Sequence, residues 1–481
     1  MVTRSGVAAL LASTPGSPEA CSENIPIFDA WIGSRPYRTI ARLPVRESGG
    51  KPIGEVAKVP RLAQARMINK ATDCSKRLGT VPDDDWFGVF REAANRLVGM
   101  LALDMNALAQ LTSRATGLPA VRVVRAWQSL AHTLSKIDEI AAAQSPDGTL
   151  SAYRTYCSGK TWMWAPAGRN LAVRAPANFP TININWLQAL AFRRPVVLSA
   201  PLEDPSTALL LAHALNDAGL PDGALSVCYG VESSLAELAD QVMWPGVPPS
   251  QVASLSSRKL FQYDGGRSKA ILLTDDPECG VLQRLVQMVI QGCGRLCTNI
   301  SGIIVIGDAI RVAHELSARL AEYRPLPLEH PHATIPAFVD ATRARGIARE
   351  IARAVSRGGI DLTEALTAVP LVHESGGMLF LRPTLLVLAP NDPLFGTEFP
   401  FPFVTITSAG LHDVPRLCRK SLVVSVVGSA PKLVSELVSE PSIAKIFWGD
   451  QFDRQYDARD PHEGYIADFL FQKKAVSPLI E

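Results

Sequence analysis

Residues 291–299 read "QGCGRLCTN", which sets Cys293 and Cys297 four apart among glycines, with Arg295 between them. Four chemistries use cysteines spaced this way: a metal clip, a disulfide, a pair of buried thiols, or the seat of a reactive thiolate. Zinc is disfavoured, because C-x3-C lacks a second, properly spaced Cys or His pair. A disulfide between the two requires local distortion. A thiolate at Cys297 gains support from Arg295, whose charge favours the ionised form, and from Gly294, which lets backbone amides approach a substrate closely. Taken alone, the stretch favours structural thiols over a nucleophile. Arg267 and Lys269 in "GGRSK" read either as surface or structural charge or, together with Arg295, as a site for a carboxylate or phosphate. His330 and His332 in "EHPH" stand in a Pro-rich loop with no third ligand in view, so no metal site is expected.

The elements that must position Cys297 are legible around it. A helical pattern, "ECGVLQRLVQMVIQGCG", leads into the loop, and a buried strand, "SGIIVIGD", leads out of it. Upstream, "RPVVLSAP" reads as a strand, "DPSTALLLAHALNDAGLP" as a helix, and "GALSVCYG" as the next strand. "KAILLTDD", "AIRVAHELSARLAEY" and "KSLVVSVVGS" continue the alternation, so parallel sheets with helical crossovers in at least two lobes are expected. "DDDWFGVFREAANRLVGMLALDMNALAQLTSRAT" predicts one capped amphipathic helix, and "TLSAYRTYCSGKTWMWAPAGRNLAVRAPANFP" predicts hairpin strands.

The bulk numbers bound the partners. A chain of 481 residues, 47% hydrophobic and 20% charged, holds enough apolar surface for two or three domain cores. A net charge of +2, with no basic stripe interleaved with aromatics, argues against nucleic acid. Eight irregularly spaced cysteines suit reduced thiols in a cytoplasm rather than a disulfide framework. The start, "MVTRSGVAALLASTPGSPEAC", has an apolar part of only about seven residues and is expected to be a mobile tail. No run approaches the roughly 20 apolar residues of a membrane span.

Around Cys297 the chain resembles the aldehyde dehydrogenase superfamily. The family pattern N-x-G-Q-x-C appears as Gly292-Cys293-Gly294-Arg295-Leu296-Cys297, with glycine and cysteine matched and Asn and Gln not. Its P-W-N-F-P appears as "PANFP", which places Pro176, Asn178, Phe179 and Pro180 on the motif, and "PLFGTEFPFPFVTI" places Glu398 on the family's later glutamate. The resemblance implies an α/β fold of two Rossmann-like parallel-sheet lobes plus a small β oligomerisation arm. It implies a cofactor-binding domain over 1–147 and 169–275, a catalytic domain over 276–450, and an arm from 148–168 and 451–481. It implies Cys297 as nucleophile, with Asn178 among the oxyanion donors. NAD or NADP would lie against Ala175, Pro176, Ser199, Gly246, Gly265 and Glu398, the last holding the nicotinamide ribose. A homodimer or homotetramer, joined through a hairpin near 148–168 and the strand "YIADFLFQKKAV", also follows from it.

Departures from the family shape the expected reaction. The family's E-L-G-G-K aligns with Tyr263-Asp264-Gly265-Gly266-Arg267, so Tyr263 stands where a glutamate activates water. A phenol, ordinarily near pKa 10, is a poor base at neutral pH. Loss of that glutamate resembles the acylating members, which pass the acyl group to a thiol such as coenzyme A. Ser199 and Leu202 replace the residues that hydrolytic members use for the adenosine ribose. The second cofactor helix is shortened in "MWPGVPPSQVASLSSRKLFQYDGG", and Gly246 is expected to open what remains. The leading expectation is therefore an NAD(P)-dependent oxidoreductase interconverting an aldehyde and an acyl thioester, with Tyr263, Arg295 and Arg267 facing the substrate. The alternatives are a hydrolytic aldehyde dehydrogenase and a non-catalytic scaffold with a decayed cofactor site.

Overall fold

The computed structural model describes residues 25–476, apart from 104, 146–147, 154–161, 231, 264, 368, 454–456, 458 and 461–463. The expected N-terminal tail with Cys21, the centre of the 148–168 hairpin with Cys157, and Asp264 lie outside the described residues.

Two seven-stranded sheets organise the chain. The first runs, in spatial order, Leu260–Tyr263, Gln241–Pro245, Leu171–Arg174, Val196–Ala200, Leu225–Tyr229, Ala30–Ile32 and Arg35–Tyr37. Its first five strands pair in parallel, and the last two join antiparallel. Strands Val196–Ala200, Leu225–Tyr229 and Gln241–Pro245 are buried along their whole length, as parallel strands covered on both faces must be. The helix Pro205–Asp217 crosses over between the first two of these. It starts where Asp204 accepts the Thr207 amide and Pro205 occupies the first turn, the residue types that suit a helix entry.

The second sheet runs Ile360–Asp361, Thr384–Val387, Phe403–Ser408, Ile300–Val305, Ser268–Leu272, Val423–Val427 and Lys445–Trp448. All its pairs but the first are parallel. Ser268–Leu272 thus belongs to the second sheet, whereas the sequence reading ends the first domain at 275. The change of sheet falls inside "YDGGRS", where glycines rather than a composition shift mark it.

Three local expectations are corrected. The single helix expected across 83–116 is two, Asp83–Ala102 and Asn106–Thr116, because Leu103 turns extended at ψ 165. "LDMN" at this break supplies Asp and Asn, which favour turns over helix interiors. Second, Trp162–Pro166 and Leu171–Arg174 are not a hairpin. The former pairs antiparallel with Phe471–Ala475 in a separate two-stranded sheet, while the latter enters the first large sheet. Third, the C-terminal segment is a short helix, Ile466–Leu470, before that strand. Aromatic contacts hold the small sheet: Tyr153 stacks on Phe471 at 4.2 Å, and the Lys473 ammonium lies 4.4 Å from the Trp162 ring centre.

Candidate active site at the junction of the two sheets

The helix Cys279–Ile290 carries the loop to its place. Leu282, Leu285, Val286, Val289 and Ile290 form its buried face at the three- and four-residue spacing of an amphipathic helix. It stops because Gln291 turns extended, and Gly292 and Cys293 follow in the left-handed region at φ 55 and 62. For Cys293, which has a β-carbon, that conformation costs roughly 1–2 kcal/mol. Asn299 repays it from the far side of the loop. Its Oδ1 accepts the Leu296 amide at 2.7 Å, and its Nδ2 donates to the carbonyls of Met288 (2.7 Å) and Gln291 (3.0 Å). One side chain therefore ties the end of the helix to the loop.

The two cysteines part company. Cys293 is buried, and burial pushes its thiol up to about 12, so it stays protonated at neutral pH. Cys297 is partly exposed. Neither is in a disulfide, and no group of three or more metal-ligating side chains occurs among the described residues.

Cys297 sits against the crossing between the sheets. A β-carbon built on Gly266 would lie 1.6 Å from the Cys297 carbonyl oxygen, so only glycine permits this approach. Ser268 Oγ donates to the same carbonyl at 3.1 Å. On the other side, Gly294 (φ 71) would meet the Phe401–Pro402 backbone at 2.4 Å if it carried a β-carbon. Asn178, just past the strand Leu171–Arg174, donates from Nδ2 to the Arg295 carbonyl at 3.0 Å. Its buried Oδ1 has no hydrogen-bond partner among the described residues, and such an atom costs roughly 1–3 kcal/mol until a ligand or water meets it. Glu398 Oε2 accepts from the amides of Gly266 (2.5 Å) and Arg267 (3.2 Å), while burial holds its carboxyl above the usual range. Asn178, Gly266, Cys297 and Glu398, spread over 220 positions of chain, thus meet at one junction.

Several expected contacts differ. Arg295, expected at the substrate, is held by protein carbonyls. Its guanidinium donates to the carbonyls of Thr116 (2.7 Å), Ala337 (2.9 Å) and Pro400 (3.2 Å), where it bridges three segments, and burial lowers its pKa to about 10. Arg267 contributes its backbone amide to Glu398, at φ 45, with its side chain exposed. Tyr263 ends the strand Leu260–Tyr263, where its hydroxyl accepts from Asn185 Nδ2 at 3.4 Å. Gly246 does not open a helix. It lies in a turn at φ 74, and the helix that follows is the single turn Ser250–Ala253. Ala175 and Ser199 lie at the ends of adjacent strands, where the Ala175 amide donates to the Ser199 carbonyl at 3.0 Å. Sequence reading missed Ser268, Asn299 and Asn185, for which no signal beyond residue type was present.

Lys269 is also not a surface charge. It is 4% exposed and donates to the Arg267 carbonyl (2.9 Å) and Ser421 Oγ (2.8 Å). Burial lowers its pKa to about 8. The unfolded chain, with an ordinary lysine near 10.4, therefore binds more protons than the folded one between these values. The charged amine weighs against folding below pH 8, and that penalty is lifted as pH rises through the window. Stability of the wild type relative to Lys269→Met is expected to increase by on the order of 1–3 kcal/mol between pH 8 and 10. Urea unfolding of both proteins across that range, with a flat difference, would rule the buried charge out.

The residues present fit a nicotinamide dinucleotide at the carboxyl ends of the first sheet. Open space lies beside the α-carbon of Gly246, and Glu398 Oε1 bonds none of the described residues. Two mainly parallel sheets with a cysteine loop at their junction define an α/β protein of two lobes. Residues 41–247 match the sequence model of the aldehyde dehydrogenase family, so this stretch of the chain is similar to that family. Methylmalonate-semialdehyde dehydrogenase [acylating] of Arabidopsis thaliana is 23% identical over 251 residues, 50% of this chain and 41% of that relative. A probable methylmalonate-semialdehyde/malonate-semialdehyde dehydrogenase [acylating] of Caenorhabditis elegans is 22% identical over 376 residues, 74% of this chain and 69% of its own. The chain thus spans less than half of the Arabidopsis relative that it matches. In fold, aldehyde dehydrogenase 21 from Physcomitrella patens, in complex with the reaction product succinate, superposes with a TM-score of 0.76 at 16% identity, covering 94% of this chain and 98% of its own. No helix among the described residues is long and apolar enough to cross a membrane.

Proposed function

We propose that the chain is an NAD(P)-dependent oxidoreductase that interconverts an aldehyde and an acyl thioester through Cys297. The observation that carries this reading is the meeting of the cysteine loop with Gly266, at the Cys297 carbonyl, and with Asn178, at the Arg295 carbonyl, while Glu398 accepts the Gly266 amide. In the oxidative direction the Cys297 thiolate attacks the aldehyde carbon, forming the C–S bond and sending the carbonyl electron pair to oxygen. Asn178 has a second Nδ2 hydrogen for that oxyanion, beside the Cys297 amide, and donors so placed are worth roughly 3–4 kcal/mol. A nicotinamide dinucleotide bound at the strand ends supplies the hydride acceptor, or the donor in reverse. Glu398 Oε1 is free to take a ribose hydroxyl. The acyl group then leaves Cys297 for an incoming thiol, with the Cys297 thiolate as leaving group. Tyr263 supports a thiol rather than water as acceptor, as does the word acylating in the names of the relatives above, and coenzyme A is the acceptor proposed.

Acyl-CoA compounds of different chain length, incubated with NADH or NADPH while absorbance at the nicotinamide band is followed, test the reading. Acyl-CoA-dependent oxidation of the dinucleotide is expected. Aldehyde-dependent reduction of NAD or NADP at full rate without added thiol would instead establish the hydrolytic reaction, and no dinucleotide turnover in either assay would leave a scaffold. The two-stranded sheet of Trp162–Pro166 and Phe471–Ala475 is proposed as the pairing surface of a homodimer or homotetramer, and the free thiols accord with a cytoplasmic location.

A further inference from the structure

The first sheet has its topological switch beside the strand Leu171–Arg174. Val196–Ala200 and Leu225–Tyr229 follow on one side of it, while Gln241–Pro245 and Leu260–Tyr263 lie on the other. Ligands of open α/β sheets bind outside the carboxyl ends of the strands at such a point. A phosphate there is ordinarily met by the amides and dipole of a helix N-terminus. Here the turn after Pro245 leads through Gly246 and exposed Val247 to the four-residue helix Ser250–Ala253, so that source of positive potential is missing.

A cation occupies the switch point instead. Arg174 is the last residue of its strand, pairs in register with Ser199, and is half-buried. Its Nη1 donates to the Pro245 carbonyl at 3.3 Å, and its guanidinium carbon lies 5.5 Å from the centre of the Trp244 ring. These contacts hold the guanidinium across the gap between the strand ends. No carboxylate pairs with it among the described residues, although an arginine has five N–H donors and is suited to planar, two-pronged binding of phosphate. The amide of Gly246, beside it, is spent on the Tyr263 carbonyl at 2.7 Å, which fixes the turn but removes one phosphate donor.

We infer that Arg174 binds the diphosphate of the dinucleotide, standing in for the shortened helix; this rests on the dinucleotide reading of the preceding section. The alternative is a strand-end staple, in which Arg174 serves only Trp244 and Pro245. A staple would support all ligands of the sheet alike, whereas a phosphate anchor discriminates between ADP and adenosine.

The test is calorimetric titration of wild type, Arg174→Met and Arg174→Lys with ADP, NADH and adenosine at low and high salt, with melting curves to confirm folding. Arg174→Met is expected to weaken ADP and NADH by about 10- to 100-fold while changing adenosine by less than about twofold. Its ADP affinity should also depend less on salt than that of the wild type. Arg174→Lys keeps the charge without the fork and should recover part of the loss. Should Arg174→Met fail to fold, Arg174→Lys alone still decides by the same ADP-against-adenosine contrast. Equal ADP binding by variant and wild type, or parallel losses of ADP and adenosine, would overturn the role of Arg174 and leave the dinucleotide reading standing. A wild type that binds neither ADP nor NADH at millimolar concentration overturns both.

Discussion

Cys297→Ala is expected to lower kcat by at least about 10⁴-fold, the scale on which nucleophile deletions act when the rest of the site survives. Cys293→Ala should stay within about threefold of wild type in kcat and cost about 1 kcal/mol of stability, since it removes only a small buried group. The contrast follows from position, not from sequence pattern, because the two thiols share one loop. Cys293 points into the core, where burial keeps it protonated, while Cys297 is partly exposed at the lobe junction. Alkylation with iodoacetamide followed by peptide mass mapping gives an activity-independent check, with label expected on Cys297 and not on Cys293 in the folded protein. Turnover that persists in Cys297→Ala would end the proposed mechanism, whatever the labelling pattern.

The second large effect belongs to Gly266→Ala. The added methyl would overlap the Cys297 carbonyl oxygen at 1.6 Å and its carbon at 2.5 Å, and both partners are backbone, which cannot swing aside. Either the Gly265–Arg267 turn or the nucleophile loop must move. A shift of about 1 Å at a reacting group is enough for roughly a 10²-fold loss in kcat, and the strain should cost about 3 kcal/mol. Gly265→Ala is the matched control. Its methyl would meet the Glu398 carboxylate at 3.3 Å, a side chain that can give by a few tenths of an ångström, so its losses should be several-fold smaller. Denaturant midpoints and kcat for the two variants, if indistinguishable, would mean that the close approach at Gly266 carries no function.

Periodicity and motif order made much of this molecule legible. The strand–helix–strand run from Val196 to Tyr229, the helix ahead of Cys297 and the strand after it were readable because apolar residues recur at the spacing each element buries. "PANFP", the cysteine loop and "TEFPFPF" pointed to residues that do converge. Arg295 and Lys269 were not legible. Adjacency to Cys297 suggested an activating charge, yet the Arg295 side chain leaves the loop for three carbonyls that are close only once the chain has folded. Lys269 has the alternation of a buried strand around it, but nothing local announces the Ser421 hydroxyl that accepts from its amine. The fate of Gly246 was missed for a related reason: a glycine before "VPPS" reads as a helix entry, and only the strand pairing shows the chain spending its amide on Tyr263.

The burial of Cys293 also bears on how this protein would age under oxidants. A partly exposed thiol such as Cys297 is the one that peroxide converts to a sulfenic acid, and a neighbouring thiolate can rescue that state by condensing to a disulfide. Cys293 is the nearest cysteine in sequence, but it is protonated, enclosed and locked in a left-handed turn. Attack by a thiol on a sulfenic acid or disulfide requires the thiolate and a clear path, and Cys293 has neither. The loop therefore lacks an internal resolving thiol, so repair of oxidised Cys297 depends on a reductant brought from outside, and delay exposes it to irreversible sulfinic and sulfonic acids.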